Sequence, residues 1–430
     1  MATMLVLTAI NFLNYIDRYV LAAVLDGVGT SFALTDAQGG LLTSMFVVVY
    51  MLASPVTGVW GDRVTRKYMV AVGVALWSVA TIGSGLARSY EEMLVMRGLV
   101  GVGEAGYAAV APAMIADLFE EKRRGRALAW FYAAIPMGSA IGFGLGGAVA
   151  EHSQVVLGWV GLAELDLEGW RVALCVAGGP GLVMAAFALV MREPQRGAAD
   201  GEHYAASGNG SVRENLATLF RSPAWRIDTV GMTLMTFAMG GIAAWMPTYL
   251  QRAHAMSEGQ AGMVFGGITV VAGLLATIVG GQLGDRAFAR APGGYFRVSA
   301  WGLLLGAPVV LALPFVGVLP VVLVMAFVAE FCLFLNTGPL NAALVACVGP
   351  TLRATAVAVN VLFIHLLGDA ISPLMMGAIS DALGGGGRGL GIAIGATAIP
   401  LVAGAWVLLR GASRVDAAPQ GLRQLDASAG

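Results

Sequence analysis

The chain has 430 residues, of which 58% are hydrophobic and 12% are charged, and its formal net charge is −1. This composition excludes an ordinary soluble domain and is typical of a polytopic membrane protein. The balanced charge gives no indication of nucleic-acid binding. Glycine supplies 60 residues, and inside apolar runs it indicates helices that pack closely through small residues. Two glycine series repeat at four-residue spacing: Gly138, Gly142 and Gly146 in one run, and Gly262 and Gly266 in another.

Twelve apolar runs have about the 20 residues that a membrane-spanning helix needs. They cover approximately residues 4–25, 38–60, 68–87, 93–116, 126–149, 171–191, 227–250, 261–283, 297–317, 320–347, 354–377 and 389–410. We therefore predict an all-α membrane protein of twelve transmembrane helices in two six-helix bundles. The predicted segments are an N-terminal bundle over 1–192, a linker over 193–225, a C-terminal bundle over 226–411 and a tail over 412–430.

The linker between the sixth and seventh runs contains one predicted helix. Ser211 followed by Glu214 forms a capping-box pattern, which predicts a short helix from about Val212 to Phe220. The distribution of positive charge predicts the orientation. With both termini placed inside, 19 of the 25 Lys and Arg residues fall in inner segments and four in outer loops. The linker, the tail and both termini are therefore expected to be cytoplasmic.

Two pairs of opposite charges lie inside apolar runs. Asp17 and Arg18 are adjacent in the first run, and Arg97 and Glu104 share one helix face in the fourth because they are seven residues apart. A charge at the centre of a spanning helix costs roughly 2.5–3.5 kcal/mol and usually serves a function. The four charges sum to zero, so protonating one acid would free an arginine for an anion. We predict that they form the proton and substrate coupling site, with a structural ion-pair network as the alternative.

The C-terminal half offers further titratable candidates. Glu330 lies within the tenth run without a visible partner, and His365 and Asp369 share one face of the eleventh. Asp369 could instead pair with His365 or cap a kink before Pro373. A cavity is predicted to be lined by a set of polar and aromatic residues, for which interhelical hydrogen bonding or ordinary packing is the alternative: Asn14, Tyr15, Tyr107, Tyr132 and Asn336.

The two halves repeat one loop pattern. Gly58-Val-Trp-Gly-Asp-Arg follows the second run, and Gly281-Gln-Leu-Gly-Asp-Arg follows the eighth. Such repeats, with binding sites at their interface, are typical of secondary transporters. A short basic loop with one aspartate can form charge pairs between helices, or it can serve only to fix the topology. The predicted cytoplasmic gate comprises Gly58, Asp62, Arg63, Arg66, Lys67, Asp285 and Arg286.

The loop from Gly58 to Lys67 is similar to the signature Gly-x-x-x-Asp-Arg-x-x-Arg-Lys of the major facilitator superfamily, where it is understood as a latch that favours the inward-closed state. Five other blocks resemble the Spinster family of that superfamily. They are Asn14-Tyr-Ile-Asp-Arg, Arg97-x-x-x-Gly-x-Gly-Glu-Ala, Ala116-Asp-Leu-Phe, Phe131-Tyr-x-x-Ile-Pro-x-Gly-Ser and His365-Leu-Leu-Gly-Asp-Ala-x-Ser-Pro. The resemblance implies the major facilitator fold, with two pseudo-symmetric bundles around a central cavity.

Several kinds of chemistry are excluded by the sequence. Gly101-Val-Gly-Glu-Ala-Gly fits a dinucleotide fingerprint but follows no strand, so a nucleotide site is not expected there. Glycine precedes neither lysine, so the chain has no Walker A loop, and it has no Gly-x-Ser-x-Gly or His-Glu-x-x-His motif. The cysteines, Cys175, Cys332 and Cys347, lie in or beside apolar runs and are predicted to be free thiols. We therefore expect no enzyme activity, cofactor or metal.

The function predicted from these features is proton-coupled secondary transport by alternating access. Spinster proteins include animal exporters of sphingosine-1-phosphate and lysosomal lysolipid carriers, so the resemblance implies export of an amphipathic, lipid-like anion, of sphingolipid or lysolipid type, by a proton antiporter. One alternative is a proton symporter for a small organic anion; a second is a non-transporting membrane sensor or scaffold. The expected partners are the substrate, protons and membrane lipid. The expected location is a bacterial inner membrane, where a monomer would be sufficient.

Overall fold

A computed structural model describes residues 2–61, 63–119, 121–195, 212–348 and 352–417, and these residues are helical with no strand. Most of the polar linker and the end of the tail lie outside this part of the chain. The described α-helices, in chain order, are α1 Ala2–Ser31, α2 Asp36–Gly61, α3 Arg66–Leu86, α4 Tyr90–Leu118, α5 Glu121–Glu151, α6 Ser153–Trp159, α7 Gly169–Val190, α8 Val212–Arg221, α9 Pro223–His254, α10 Glu258–Arg290, α11 Gly294–Ala312, α12 Leu319–Phe334, α13 Thr337–Ala346, α14 Arg353–Ile364, α15 Ser372–Ala382, α16 Gly386–Gly395 and α17 Ala398–Ala417.

The twelve predicted apolar runs coincide with helices. Three runs correspond to two α-helices joined by a short break: α12 with α13, α14 with α15, and α16 with α17. Among the described residues, eleven segments are long and apolar enough to span a membrane. Helix α1 is not among them, although it is 30 residues long. Its Asn11, Asn14, Asp17 and Arg18 lower the mean hydropathy of the central turns, which is the same feature that makes α1 a candidate for function.

The described chain divides into two compact units. Unit 1 contains the residues before the linker together with Ala243–Val270 and Pro373–Gly387. Unit 2 contains the remaining residues of α8 to α17. The C-terminal part of α9, the N-terminal part of α10 and almost all of α15 therefore belong to the unit built from the first six spanning helices. The predicted division of the chain at the linker is a division by sequence, and it stays a prediction.

Close packing of α1 on α5 explains the first glycine series. A Cβ atom added at Gly138 would lie 2.7 Å from the carbonyl oxygen of Phe12, and one at Gly142 would lie 2.6 Å from that of Ile16. A Cβ atom added at Gly146 would lie 3.0 Å from the carbonyl oxygen of Val20, in the next turn of α1. The small residues therefore allow the two backbones to approach, as the spacing predicted.

The predicted linker helix is present as α8 and ends beside a group of three aromatic rings. Phe220 lies edge-on to Trp225 of α9, with ring centroids 5.5 Å apart. Phe363 of α14 contacts both rings at 6.1 and 6.4 Å. All three residues belong to unit 2. The aromatic group packs α8 against α9 and α14.

Candidate functional site

The four intramembrane charges predicted from the sequence come together in unit 1. Asp17 and Arg18 lie on α1, and Arg97 and Glu104 lie on α4. Asp17, Arg97 and Glu104 are almost completely buried. The seven-residue spacing places Arg97 and Glu104 on one face of α4, and that face meets the charged turn of α1. Helices α2 and α3 complete the site, which we call the charge cluster.

One ion pair dominates the charge cluster. The Arg18 Nε atom donates to Glu104 Oε2 at 2.6 Å. The side chain of Arg18 is 20% exposed, whereas that of Glu104 is 0% exposed. Asp17 is held differently, because its Oδ2 atom accepts a hydrogen bond from the Thr81 hydroxyl of α3 at 2.6 Å. Thr81 was not identified from the sequence, since nothing in an isolated threonine of an apolar run indicates a buried acid opposite it.

Arg97 has an unusual environment for a buried cation. Its charge interacts with those of Asp17 and Glu104, but it has no ion-pair partner within 4 Å among the described residues. Within the same part of the chain, its Nε and Nη1 atoms, Asp17 Oδ1 and Glu104 Oε1 also lack hydrogen-bond partners. Buried polar groups are normally paired. These unpaired buried groups make the charge cluster the candidate site for a proton or an anionic group.

Aromatic rings surround the two guanidinium groups. The Arg18 guanidinium carbon lies 5.0 Å from the ring centroids of Tyr15 and Phe46, and 5.1 Å from that of Tyr50. Arg97 lies 5.4 Å from the Phe46 ring. Such cation–π contacts contribute about 0.5–2 kcal/mol each. They can hold an arginine in place while its carboxylate partner changes protonation.

The other predicted cavity residues of the N-terminal half have different environments. Asn14 is buried beside Glu104, and Tyr15 stacks against Arg18 as described above. Tyr107 packs in the core of unit 1, where its hydroxyl donates to the Leu7 carbonyl oxygen at 2.7 Å. Tyr132 is exposed, with its ring edge-on to Phe131. Asn14 and Tyr15 thus belong to the charge cluster, while Tyr107 and Tyr132 lie outside it.

The C-terminal candidates lie in unit 2. His365 and Asp369 occupy a π-helical turn between α14 and α15, and His365 Nδ1 lies 2.9 Å from Asp369 Oδ2. This geometry supports the pairing alternative, and π-turns occur frequently at functional sites. Glu330 is buried in α12, and its Oε1 atom has no partner among the described residues. Asn336 lies at the break between α12 and α13 and donates to the Cys332 carbonyl oxygen at 2.8 Å.

Asp228 is a buried acid that sequence reasoning missed. It lies in α9, is fully buried, and has no hydrogen-bond partner at either carboxyl oxygen within the described residues. It lies at the start of the seventh apolar run, and the sequence analysis did not single it out. The signal that could have identified it was the same one used for Asp17, namely an acid within an apolar helix.

The loop after α2 and the start of α3 form a second polar network in unit 1. Asp62 lies outside the described residues, and Gly58 and Arg63 lie at the surface. Arg66 is buried at the start of α3, where its Nη1 atom pairs with Asp117 Oδ2 at 2.6 Å. The Glu193 carboxylate accepts the backbone N–H groups of Arg66 and Lys67 at 2.9 and 3.2 Å. Glu193 therefore caps the N-terminus of α3.

We predict that Arg66→Ala destabilises the protein, because it removes a buried guanidinium group that pairs with both Asp117 and Glu193. Breaking a buried pair from one side costs about 3–5 kcal/mol. The matched control is Arg63→Ala, three residues earlier and exposed, which should change stability by less than about 0.5 kcal/mol. Unfolding of the purified protein in detergent measures both. Equal destabilisation by the two changes would show that the Arg66 network is not the source of stability.

The second copy of the loop motif lies in unit 2. Asp285 accepts a hydrogen bond from the Tyr295 hydroxyl at 3.0 Å, and Arg286 is exposed. An ion pair between Arg297, near the start of α11, and Asp416, near the end of α17, corresponds to the Arg66–Glu193 contact at the start of α3 and the end of α7. The two halves therefore repeat this charge contact as well as the loop sequence.

A third network joins the ends of four helices within unit 1, on the side that the sequence predicts to be outer. Arg252 of α9 pairs with Asp26 of α1, and its Nη1 atom lies 2.6 Å from Asp36 Oδ1 at the start of α2. Asp381 of α15 accepts the backbone N–H groups of Asp36 and Ala37, both at 2.8 Å. Its carboxylate thus caps the N-terminus of α2. We call these residues the outer network; sequence reasoning treated Arg252 only as an outer-loop charge.

Glycines bring the backbones of the same helices into contact. A Cβ atom added at Gly40 of α2 would overlap the Pro373 carbonyl oxygen of α15, and one at Gly377 would overlap that of Asp36. In the same way, a Cβ atom added at Gly147 of α5 would overlap the Glu258 carbonyl oxygen of α10. A Cβ atom added at Gly262 of α10 would overlap the Phe143 carbonyl oxygen of α5. We call these four residues the outer glycines. They allow α2 to pack on α15 and α5 to pack on α10.

Comparison with known sequences identifies relatives over most of the chain. The family model of the Major Facilitator Superfamily matches residues 7–373. Protein spinster of Drosophila melanogaster is 34% identical over 402 residues, which cover 89% of this chain and 62% of the fly protein. Protein spinster homolog 1 of Homo sapiens is 36% identical over 397 residues, covering 88% of this chain and 72% of the human protein. The chain thus spans less than two thirds of the fly protein.

Comparison with solved structures gives a similar result. The fold matches the crystal structure of a bacterial homologue of the human lysosomal transporter Spinster in an inward-facing and unoccupied conformation, with a TM-score of 0.87, 26% identity and 96% coverage of both chains. The same homologue in an inward-facing and occupied conformation gives a TM-score of 0.84. A D-xylose–proton symporter shares the fold at a TM-score of 0.72 and 16% identity, over 95% of this chain and 96% of its own.

Proposed function

Since this chain belongs to the Spinster family of the major facilitator superfamily, which consists of multi-pass membrane transporters and not enzymes, we propose that it exchanges protons for an amphipathic, lipid-like anion. The charge cluster would bind both, one at a time. Competition between a proton and an anion for the same arginines couples the two movements. The C-terminal acids would be secondary sites within this scheme.

The observation that carries the proposal is the unequal exposure of the Arg18–Glu104 pair. Glu104, Asp17 and Arg97 are buried, whereas Arg18 is partly exposed. An anion entering the site would therefore contact Arg18 first. The pair holds Arg18 at 2.6 Å while Glu104 is ionised, and this contact competes with any external anion.

Protonation of Glu104 would reverse that competition. It removes one negative charge from a neutral cluster, which leaves a net charge of +1 and an arginine without an ionised partner. The rings of Tyr15, Phe46 and Tyr50 continue to hold the guanidinium group through cation–π contacts. They also present apolar surface beside the charge, which suits an amphipathic anion. Release of the proton restores the ion pair and expels the anion.

The outer network and the outer glycines supply the gate that alternating access requires. Within unit 1 they join the ends of α1, α2 and α5 to those of α9, α10 and α15. We assign this side as the closed, outward end, consistent with the likeness to homologue structures in inward-facing conformations. Opening would break the two Arg252 ion pairs and separate the outer glycines from their carbonyl partners.

The proposed class of substrate is inferred from the relatives of this chain. The matched bacterial structures are described as homologues of a lysosomal transporter, and the family resemblance favours a lysolipid or a phosphorylated sphingoid base. The rival is proton symport of a small organic anion, which the same charges could serve. We place the protein in a bacterial inner membrane with both termini in the cytoplasm, and one copy would be sufficient because both halves are in a single chain.

Transport into proteoliposomes tests the proposal. A lysolipid or a phosphorylated sphingoid base, added against an imposed pH gradient, should move protons that an internal pH dye detects. The expected coupling is exchange, so substrate export should dissipate an inwardly directed proton gradient. Moving one proton through 100 mV supplies about 2.3 kcal/mol for the substrate gradient.

The outcomes separate the candidate functions. Proton movement with a small organic anion, and none with a lipid, would replace the lipid proposal with the symporter. Lipid movement that neither dissipates a pH gradient nor depends on one would contradict the proposal of proton coupling. Empty liposomes made from the same lipid provide the control for passive leakage of an amphiphile.

A further inference from the structure

Unit 2 contains an apolar pocket that shares no residue with the charge cluster. Its volume is about 380 Å³, which lies within the range of roughly 300–1,000 Å³ for ligand pockets. The walls come from α8, α9, α14 and the π-helical turn that contains Leu367. The aromatic group of Phe220, Trp225 and Phe363 forms one end. The pocket thus lies where the linker helix meets the spanning helices.

One face of α9 gives the pocket an ordered polarity. Arg226, Thr229, Val230 and Thr233 line it at spacings of three, four and seven residues from the first, so they form one stripe. Thr233 Oγ1 donates to the Thr229 carbonyl oxygen at 2.7 Å. The Thr229 hydroxyl is buried and has no partner among the described residues. Along the stripe, the exposed charge of Arg226 is followed by apolar wall.

The charge at the pocket rim is positive and available. Arg226 is exposed and has no ion-pair partner within the described part of unit 2. Arg221, at the end of α8, is exposed nearby in the sequence. An occupant of this pocket therefore needs an anionic end at Arg226 and a hydrocarbon portion against the apolar wall. A phospholipid has both of these parts, in its phosphate and its acyl chains.

We propose that this pocket binds an anionic membrane phospholipid, with its phosphate on Arg226 and part of one acyl chain against Trp225 and Phe363. The lipid fastens α8 to α9 and α14, and so connects the linker helix to the bilayer. Annular lipid would fill an apolar groove without regard to headgroup. The unpaired arginine at the rim instead favours an anionic headgroup.

Quenching of Trp225 by brominated lipid tests the proposal in the full-length protein. Bromine on an acyl chain quenches tryptophan on contact, and the difference between wild type and Trp225→Phe isolates Trp225 from the other eight tryptophans. Brominated phosphatidylglycerol is compared with brominated phosphatidylcholine in vesicles of unbrominated lipid. Half-maximal quenching of Trp225 should occur at a several-fold lower fraction of phosphatidylglycerol.

Two arginine variants decide whether the site is specific. Arg226→Gln should abolish the preference for phosphatidylglycerol, whereas Arg290→Gln, which alters an exposed arginine at the end of α10 away from the pocket, should retain it. Equal quenching by both lipids in the wild type, or equal loss of preference in both variants, would overturn the proposal. Relief of quenching by a lysolipid that the protein transports would assign the pocket to the substrate instead. Transport itself can fail or succeed independently of this result.

Discussion

Glu104→Gln is expected to abolish proton-driven transport. Glutamine keeps the shape of the side chain and cannot carry the proton, and it leaves Arg18 without the ionised partner that lies 2.6 Å away. The charge cluster then holds +1 permanently, so an anion that binds has nothing to displace it. The measurement is substrate-dependent proton flux in proteoliposomes, together with substrate binding, which should persist or tighten while flux falls to background.

Loss of stability must be separated from loss of coupling. Removing one member of a buried pair costs about 3–5 kcal/mol, so Glu104→Gln alone could lower the yield of folded protein. The double variant Arg18→Gln with Glu104→Gln restores a neutral cluster, and we expect it to recover stability but not flux. Asp17→Asn retains an acceptor for Thr81 and tests the other acid. Flux that survives both Glu104→Gln and Asp17→Asn would transfer the coupling role to Glu330 or Asp369.

Gly262→Val is expected to stop transport while leaving a folded protein. The added side chain would overlap the Phe143 carbonyl oxygen of α5, and backbone cannot move aside as a flexible side chain can. The α5–α10 contact would therefore fail to close, and the proposed outer gate would remain open. The matched control is Gly267→Val in the same helix, because a Cβ atom there meets nothing within 4 Å. Transport should fall at least tenfold in the first variant and remain near wild type in the second.

A cysteine introduced at a buried position tests whether the proposed outer gate is open or closed. Thr248 is fully buried in α9, one turn beyond Trp245, whose indole N–H donates to the Pro373 carbonyl oxygen at 2.9 Å. Thr248→Cys should react slowly with an impermeant maleimide in the wild-type background and several-fold faster with Gly262→Val. The protein without the added cysteine gives the background from Cys175. Unchanged reactivity, with transport lost, would indicate that the glycine serves folding and not gating.

The sequence alone determined the spans, the family resemblance and the identity of the four charges of the cluster. Apolar runs of about 20 residues report spanning helices because backbone groups in a bilayer must be satisfied within each helix. The spacing of Arg97 and Glu104 placed both on one face because helix periodicity is local. The glycine series predicted close packing for the same reason. Each of these inferences depends on residues within one helix.

Only the tertiary structure decided which groups meet. In the structure Arg18 forms an ion pair with Glu104, and Asp17 accepts a hydrogen bond from Thr81. The charges alone allowed other pairings. The tertiary structure also assembles the outer network, where Arg252 lies 216 residues from Asp36 in the chain. Such contacts depend on the crossing of helices distant in sequence, and no periodicity within one helix encodes them. The residues of each helix therefore follow from the sequence, whereas packing decides which of their charged groups lie together in the charge cluster.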